Sequence, residues 1–155
     1  ASSAQEFVFD GVFSAKATQE EIFLKVGLPV VQDCLNGLNG TILAYGQTGS
    51  GKTHSLLHEG ERLADSGLLQ HVVDGIFDHI AQDFTSSYDV EVAAMQVYNE
   101  QIDDLLHPHG QNLAVTNTGE VPSLTWVPCK HAGELSRLVS RARTNLIYAE
   151  TKMNK

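Results

Sequence analysis

Cysteine is scarce in this sequence, with only Cys34 and Cys129 among 155 residues. So few thiols exclude a disulfide-rich scaffold, and we expect both to be reduced and buried rather than joined in a structural disulfide. Apolar runs long enough to cross a membrane are missing, as is a signal-peptide pattern at the start of the printed sequence. These absences predict a cytosolic or nuclear protein with no membrane partner.

Basic residues are outnumbered, since ten Lys and Arg face nineteen Asp and Glu and give a net charge of −9. This balance argues against a nucleic-acid-binding domain. The charge is uneven: residues 1–100 hold four basic and fourteen acidic side chains, whereas the segment from Trp126 onward holds six basic and two acidic. An acidic partner would therefore meet the C-terminal part, although a solvated helix face is the simpler explanation.

The chain is long enough for one domain, and we find no repeat or linker that divides residues 1–155. Thr18 and Glu21 form a capping-box pattern that predicts a helix start, Pro29 is expected to kink this helix, and Gly37 is expected to end it. A short strand is predicted at residues 7–10. Residues 41–45 form a continuous apolar run, which predicts a strand buried on both faces of a parallel sheet.

In the second half of the chain, segments with the apolar spacing of a helix alternate with segments that have the composition of a strand. Apolar spacing predicts an amphipathic helix over residues 68–80 and a last helix with one face at Leu135, Leu138, Val139 and Ala142. Further predictions are a long strand at residues 88–98, a short helical turn at 102–106, and two short strands at 113–115 and 124–127 around a turn at 117–119. This order of elements predicts an α/β layered sheet.

One segment matches the pattern G-x-x-x-x-G-K-[ST] without exception: Gly46, Gln47, Thr48, Gly49, Ser50, Gly51, Lys52 and Thr53. Its glycines allow a tight turn whose backbone N–H groups can surround an anion. Lys52 is expected to reach the β- and γ-phosphates of a nucleotide, and the Thr53 hydroxyl to ligate Mg²⁺. The predicted strand before the loop and helix after it favour a phosphate site over a glycine-rich turn with an incidental lysine.

Hydrolysis would also require a second acidic group near the metal, a group that orients water, and a sensor of the γ-phosphate. The sequence assigns none of these, so its catalytic residues are unknown and the residues alone predict nucleotide binding. Other candidates are weaker. His54 and His58 could hold a metal at i, i+4 spacing, and Asp103 with Asp104 could act as acid and base, but ordinary surface positions are favoured for both pairs.

Several segments around the loop resemble the kinesin motor domain in the family's own order. They are residues 7–13, 17–23, 36–53 and 98–106, together with residues 151–154, which resemble the segment before the family's first nucleotide switch. The sequence departs from the family pattern at Gln70 and His71, where proline and arginine are usual, at Leu146 in place of an arginine, and at Gln96 in place of a glutamate.

The resemblance implies a three-layer P-loop NTPase-type α/β sheet flanked by helices, as an incomplete motor core that stops before the switch regions. It implies ATP or ADP with Mg²⁺ as ligands, microtubules (tubulin) as partner, and a place on the cytoskeleton in the cytoplasm. Carried over by position, residues Gly46 to Thr53 and His54 would surround the nucleotide, while Lys130 and His131 are the candidates for microtubule contact. A sheet edge left open could pair with a second copy.

Three functional hypotheses follow from these observations. The favoured one is the ATP-binding part of a microtubule motor, with little ATPase activity in this chain alone. The second is a catalytically inactive relative that keeps nucleotide binding and acts as an adaptor. A different P-loop phosphotransferase is the third, and the resemblance outside the loop disfavours it.

Overall fold

The computed structural model describes residues 5–107, 110 and 112–153, with side chains of the last helix described as far as Leu146. The chain divides into two compact units, Ala1–Ile76 and Phe77–Lys155. The helices are α1 (Gln19–Ile22), a π-helical segment (Phe23–Gly27), α2 (Leu28–Leu35), α3 (Lys52–Leu57), a 3₁₀ turn (Leu63–Asp65), α4 (Leu68–Gln82) and α5 (Ala132–Met153). The strands are β1 (Glu91–Val92), β2 (Met95–Tyr98), β3 (Gln101–Asp104) and β4 (Val127–Pro128).

The first helix begins at the predicted capping box. The Glu21 N–H donates to the Thr18 hydroxyl at 3.1 Å, and the Thr18 N–H donates to the Glu21 carboxylate at 2.9 Å. Two N–H groups that a helix start leaves without partners are thereby satisfied.

The expected disturbance at Pro29 takes the form of the π-helical segment. Pro29 lies in the first turn of α2. Its ring has no N–H to donate and would press on the carbonyl one turn earlier in a regular helix. Widening the preceding turn relieves this conflict, and the Leu28 N–H accordingly bonds the Phe23 carbonyl five residues back.

The helix then ends at Asn36, with Gly37 in the left-handed region at φ 87°, as the sequence predicts.

The prediction that residues 41–45 form a paired strand buried on both faces is wrong. Within the described residues no strand pairs with it, and Leu43 and Tyr45 are 84% and 95% exposed. Hydrophobicity and β-branching indicate an extended segment, but pairing depends on a neighbouring strand elsewhere in the chain. The short strand predicted at residues 7–10 likewise forms no ladder, and its apolar side chains are exposed.

In the first unit, the start of α4 packs near the π-helical segment. Val31, Leu68 and Val73 are buried. His71 is also buried, and its ring stacks on Phe23 with the centroids 5.0 Å apart. The predicted helix over residues 68–80 is confirmed and extends to Gln82.

The helical turn predicted at residues 102–106 is wrong, because residues 101–104 form β3 of an antiparallel hairpin with β2. Asn99 and Glu100 form the two-residue connection, both with positive φ, at 48° and 61°. Val97 lies opposite Ile102 in this register. Pairing across a two-residue turn overrides the local helical pattern. The long strand predicted at residues 88–98 is instead divided into β1 and β2, and β1 pairs with β4.

The core of the second unit is formed by Leu105, Leu106 and Ala142, with Val127 and Leu138 packed against it. Asp104, expected on the surface, is buried and accepts N–H groups from Leu106, His107 and Thr125 at 2.7, 3.1 and 2.8 Å. The last helix is confirmed as α5, and the turn predicted around Gly119 is closed by the Thr116 N–H bonding to Glu120. The strand predicted beside that turn at 113–115 is irregular, and of the one predicted at 124–127 only Val127 lies in a strand, as the first residue of β4.

Both cysteines are free thiols, as predicted, but they differ in burial. Cys129 is buried, whereas Cys34, which we expected to be buried, is exposed near the end of α2. Burial raises the pKa of the Cys129 thiol, and the nearby Glu134 carboxylate adds to this effect. No described helix has the length and apolarity needed to cross a bilayer.

Candidate functional site

The glycine-rich loop leads directly into α3. Gly49 and Gly51 have φ values of 80° and 95°, in the left-handed region of backbone conformation. Residues other than glycine adopt this region only at a cost in free energy. Gly51 is the N-cap of α3, and the Ser55 N–H donates to the Gly51 carbonyl at 2.9 Å. A turn is closed within the loop by the Ser50 N–H, which donates to the Gln47 carbonyl at 3.1 Å. Residues Gln47 to Gly51 are all exposed to solvent.

The Lys52 side chain folds back over the loop. Its Nζ donates to the Gly46 carbonyl at 2.7 Å and to the Gln47 carbonyl at 2.8 Å. The ammonium group is therefore held at the loop by backbone atoms rather than extended into solvent. A positive charge held at a solvent-exposed loop that leads into a helix N-terminus creates an electrostatic environment suited to an anion.

Thr53 and His54 occupy the first turn of α3, as the sequence predicts. Thr53 is exposed, so its hydroxyl is accessible to a ligand. Gln19, at the start of α1, donates from Nε2 to the His54 carbonyl at 3.1 Å and lies 3.2 Å from His54 Nδ1. These contacts tie α3 to α1 and so set the position of the loop that precedes α3.

Gln19 is a site residue that the sequence motifs do not predict, because it lies between the two residues of the capping box and outside the P-loop pattern. It is 8% exposed, and its Oε1 is buried without a partner among the described residues. The available signal was its spacing from Phe23, which places both on one helix face four residues apart. A glutamine in that apolar stripe indicates a specific polar contact.

His54 and His58 lie close together at the start and end of α3. Their rings stack with centroids 4.7 Å apart. Over the part of the chain with described side chains, no three His, Cys, Asp or Glu residues gather closely enough to hold a metal ion.

Lys130 and His131 connect β4 to α5 and are both exposed. The Lys130 N–H donates to Glu134 Oε2 at 2.8 Å, and His131 Nε2 lies 3.5 Å from Glu134 Oε1. Both belong to the second unit, whereas the glycine-rich loop belongs to the first.

Comparison with known proteins identifies the family. The family sequence model described as kinesin motor domain matches residues 1–155. This chain belongs to the kinesin motor-domain family. Relatives include the kinesin heavy chain of Caenorhabditis elegans, 36% identical over 96% of this chain, and the Arabidopsis thaliana kinesin-like protein KIN-UC, 35% identical over 98%.

A solved structure described as that of a fast kinesin superposes with a TM-score of 0.89 at 33% identity over 96% of this chain. The fold is therefore that of the kinesin motor, a P-loop NTPase-type fold, of which the described residues form helices and two small sheets. The chain spans 44% of that structure's chain, and 19% and 15% of the lengths of the two relatives.

Three of the positions that depart from the family pattern, His71, Gln96 and Leu146, make described contacts. His71 is buried against Phe23, and its Nε2 lacks a hydrogen-bond partner in the described part of the chain. The Gln96 amide donates to the Asp103 carboxylate across the hairpin at 3.0 Å. Leu146 packs against the core of the second unit. Asn154, the last residue of the segment that resembles the region before the first switch, lies outside the described residues, as do the side chains of residues 151–153.

Proposed function

We propose that this chain is the ATP-binding part of a kinesin-like microtubule motor. The observation that carries the proposal is the conformation of the glycine-rich loop, in which Gly49 and Gly51 adopt left-handed φ values and Lys52 is held at the loop by the Gly46 and Gln47 carbonyls. The family match over residues 1–155 favours this function over other P-loop phosphotransferases.

The residues present suit Mg-ATP or Mg-ADP. Backbone N–H groups between Gln47 and Lys52 would donate to the α- and β-phosphates, and the Lys52 ammonium would exchange its carbonyl partners for β- and γ-phosphate oxygens. The Thr53 hydroxyl would ligate Mg²⁺, and His54, positioned by Gln19, would border the phosphates. When bound, the metal ion neutralises phosphate charge and polarises the bond to be cleaved. In the complete motor, hydrolysis would drive movement along microtubules.

Lys130 and His131 are our candidates for microtubule contact. Both are exposed, and they lie in the basic segment that follows Trp126 in an otherwise acidic chain. Tubulin would be the acidic partner that this charge distribution suits. Such a function places the protein on the cytoskeleton in the cytoplasm.

Nucleotide binding is tested by titrating a fluorescent ADP analogue with Mg²⁺ against the wild-type chain, a Lys52→Ala variant and a Lys16→Ala control. Lys16 is exposed and its side chain makes no described contact, so the control removes an equal charge outside the P-loop pattern. We expect about tenfold or greater weakening for Lys52→Ala and no change for Lys16→Ala. Equal affinity in all three proteins would contradict the role of the loop.

Microtubule binding is tested by co-sedimentation in the presence of ADP or a non-hydrolysable ATP analogue. A Lys130→Ala, His131→Ala double variant should lose binding at moderate salt. Binding that is insensitive to the nucleotide would favour the adaptor alternative, in which the fold is retained without motor activity.

A further inference from the structure

A cleft of about 340 Å³ lies in the second unit between β4 and α5. The residues around it are Val127, Pro128, Glu134, Arg137, Leu138 and Arg141. Val127 and Leu138 are partly buried because they pack against the core, whereas both arginines are exposed. The cleft therefore combines an apolar base with cationic groups nearer the solvent.

The two arginines are available to bind an anion. They are four residues apart on α5, which places them on one helix face as neighbours. Arg137 Nε donates to the Gly133 carbonyl at 3.2 Å, and neither arginine forms an ion pair within the described residues. Their guanidinium groups present several further N–H donors in a planar fork that matches a carboxylate.

Glu134 is the one acidic residue that lines the cleft, and its carboxylate contacts groups at the start of α5 while also interacting electrostatically with Arg137. Its Oε2 accepts the Lys130 N–H at 2.8 Å, and its Oε1 lies 3.5 Å from His131 Nε2. This carboxylate is thus turned towards the start of α5. The cleft keeps a net positive charge, in a chain whose net charge is −9.

We propose that this cleft binds an acidic peptide segment of a partner protein, with one apolar side chain in the cleft and flanking carboxylates on Arg137 and Arg141. The apolar base favours such a peptide over free phosphate or RNA, which would leave Val127 and Leu138 unused. A volume of about 340 Å³ accommodates one large aliphatic side chain with its neighbouring backbone. The inference does not depend on nucleotide binding at the glycine-rich loop.

The probe is a fluorescein-labelled peptide, Glu-Glu-Leu-Glu-Glu, followed by fluorescence anisotropy at low salt. Two matched peptides separate the contributions: Gln-Gln-Leu-Gln-Gln lacks the carboxylates, and Glu-Glu-Gly-Glu-Glu lacks the apolar side chain. We expect each to bind more weakly than the probe, and binding of the probe to weaken as salt rises.

An Arg137→Gln, Arg141→Gln double variant should bind the probe about tenfold more weakly. Arg62→Gln is the matched control, because Arg62 is exposed and paired with Asp65 in the first unit. Lys52→Ala should leave peptide binding unchanged, so failure of the nucleotide site and failure of the cleft are distinguishable. Equal binding of the probe by the wild-type chain and the double variant, or displacement of the probe by a short RNA at equal concentration, would overturn the proposal.

Discussion

Gln19 and His54 are joined across two helices by the Gln19 amide, which donates to the His54 carbonyl at 3.1 Å and approaches its Nδ1 at 3.2 Å. The first residue of α1 thus holds the helix that begins with Lys52. Nucleotide binding would in this way depend on a residue outside the P-loop pattern.

Replacing Gln19 by Glu tests this contact. The carboxylate has no N–H to donate and would face the His54 carbonyl while buried, so we expect a loss of about 2–3 kcal/mol in the free energy of unfolding. Urea denaturation followed by circular dichroism measures the change. Glu20→Gln, on the exposed neighbour, is the control and should change stability by less than about 0.5 kcal/mol. A Gln19→Glu protein as stable as this control would show that the bond contributes nothing.

The loop conformation predicts a cost for a side chain at Gly51. Its φ of 95° is unfavourable for alanine, although an added Cβ would meet no atom within 4 Å. We therefore expect Gly51→Ala to destabilise the chain by about 1–2 kcal/mol through backbone strain alone. Gly11→Ala is the matched control, since Gly11 also has open space but no positive φ. Thermal unfolding should separate the two variants, and identical midpoints would mean that the left-handed conformation is not required.

The turn between β2 and β3 predicts a stabilising substitution. Glu100 has a φ of 61°, which a glycine adopts without strain. Glu100→Gly should raise the free energy of unfolding by about 0.5–1 kcal/mol. Asp89→Gly removes the same charge at a position without positive φ and should lower stability instead. A loss of stability in both variants would argue against a two-residue turn at Asn99 and Glu100.

The pH dependence of stability should include Asp104. Burial acts to raise its pKa, but hydrogen bonds from the Thr125 side chain and from the N–H groups of Thr125, Leu106 and His107 outweigh this effect and lower the pKa below its usual value. The folded state therefore favours the carboxylate, and the resulting stability is present above the ordinary aspartate pKa of about 4 and is lost as pH falls through the lower folded pKa.

Asp104→Asn should remove this contribution, with a loss of about 2–3 kcal/mol at neutral pH and a shallower acid limb in a plot of stability against pH. Denaturant midpoints between pH 7 and acid conditions provide the measurement. Asp78→Asn, at an exposed position of α4 without a described side-chain bond, should keep the wild-type slope. An unchanged acid limb for Asp104→Asn would exclude the buried carboxylate as its source.

Local signals in the sequence predicted much of the helical structure. The capping box at Thr18, the stop at Gly37 and the glycines of the loop each depend on neighbouring residues alone, and each appears as predicted. Sheet pairing could not be predicted in the same way. Residues 101–104 became a strand because of residues 95–98, and Gln19 reaches His54, which lies 35 positions along the chain. Contacts of this range leave little trace in local periodicity.

Because the two thiols differ in burial, one of them can be labelled selectively. A maleimide dye added under native conditions should attach at Cys34, whereas Cys129 is shielded and its raised pKa leaves less of the reactive thiolate. The natural sequence thus accepts a single spectroscopic probe at the end of α2 without any engineered residue. Fluorescence from that position would follow motion of the first unit during nucleotide titrations.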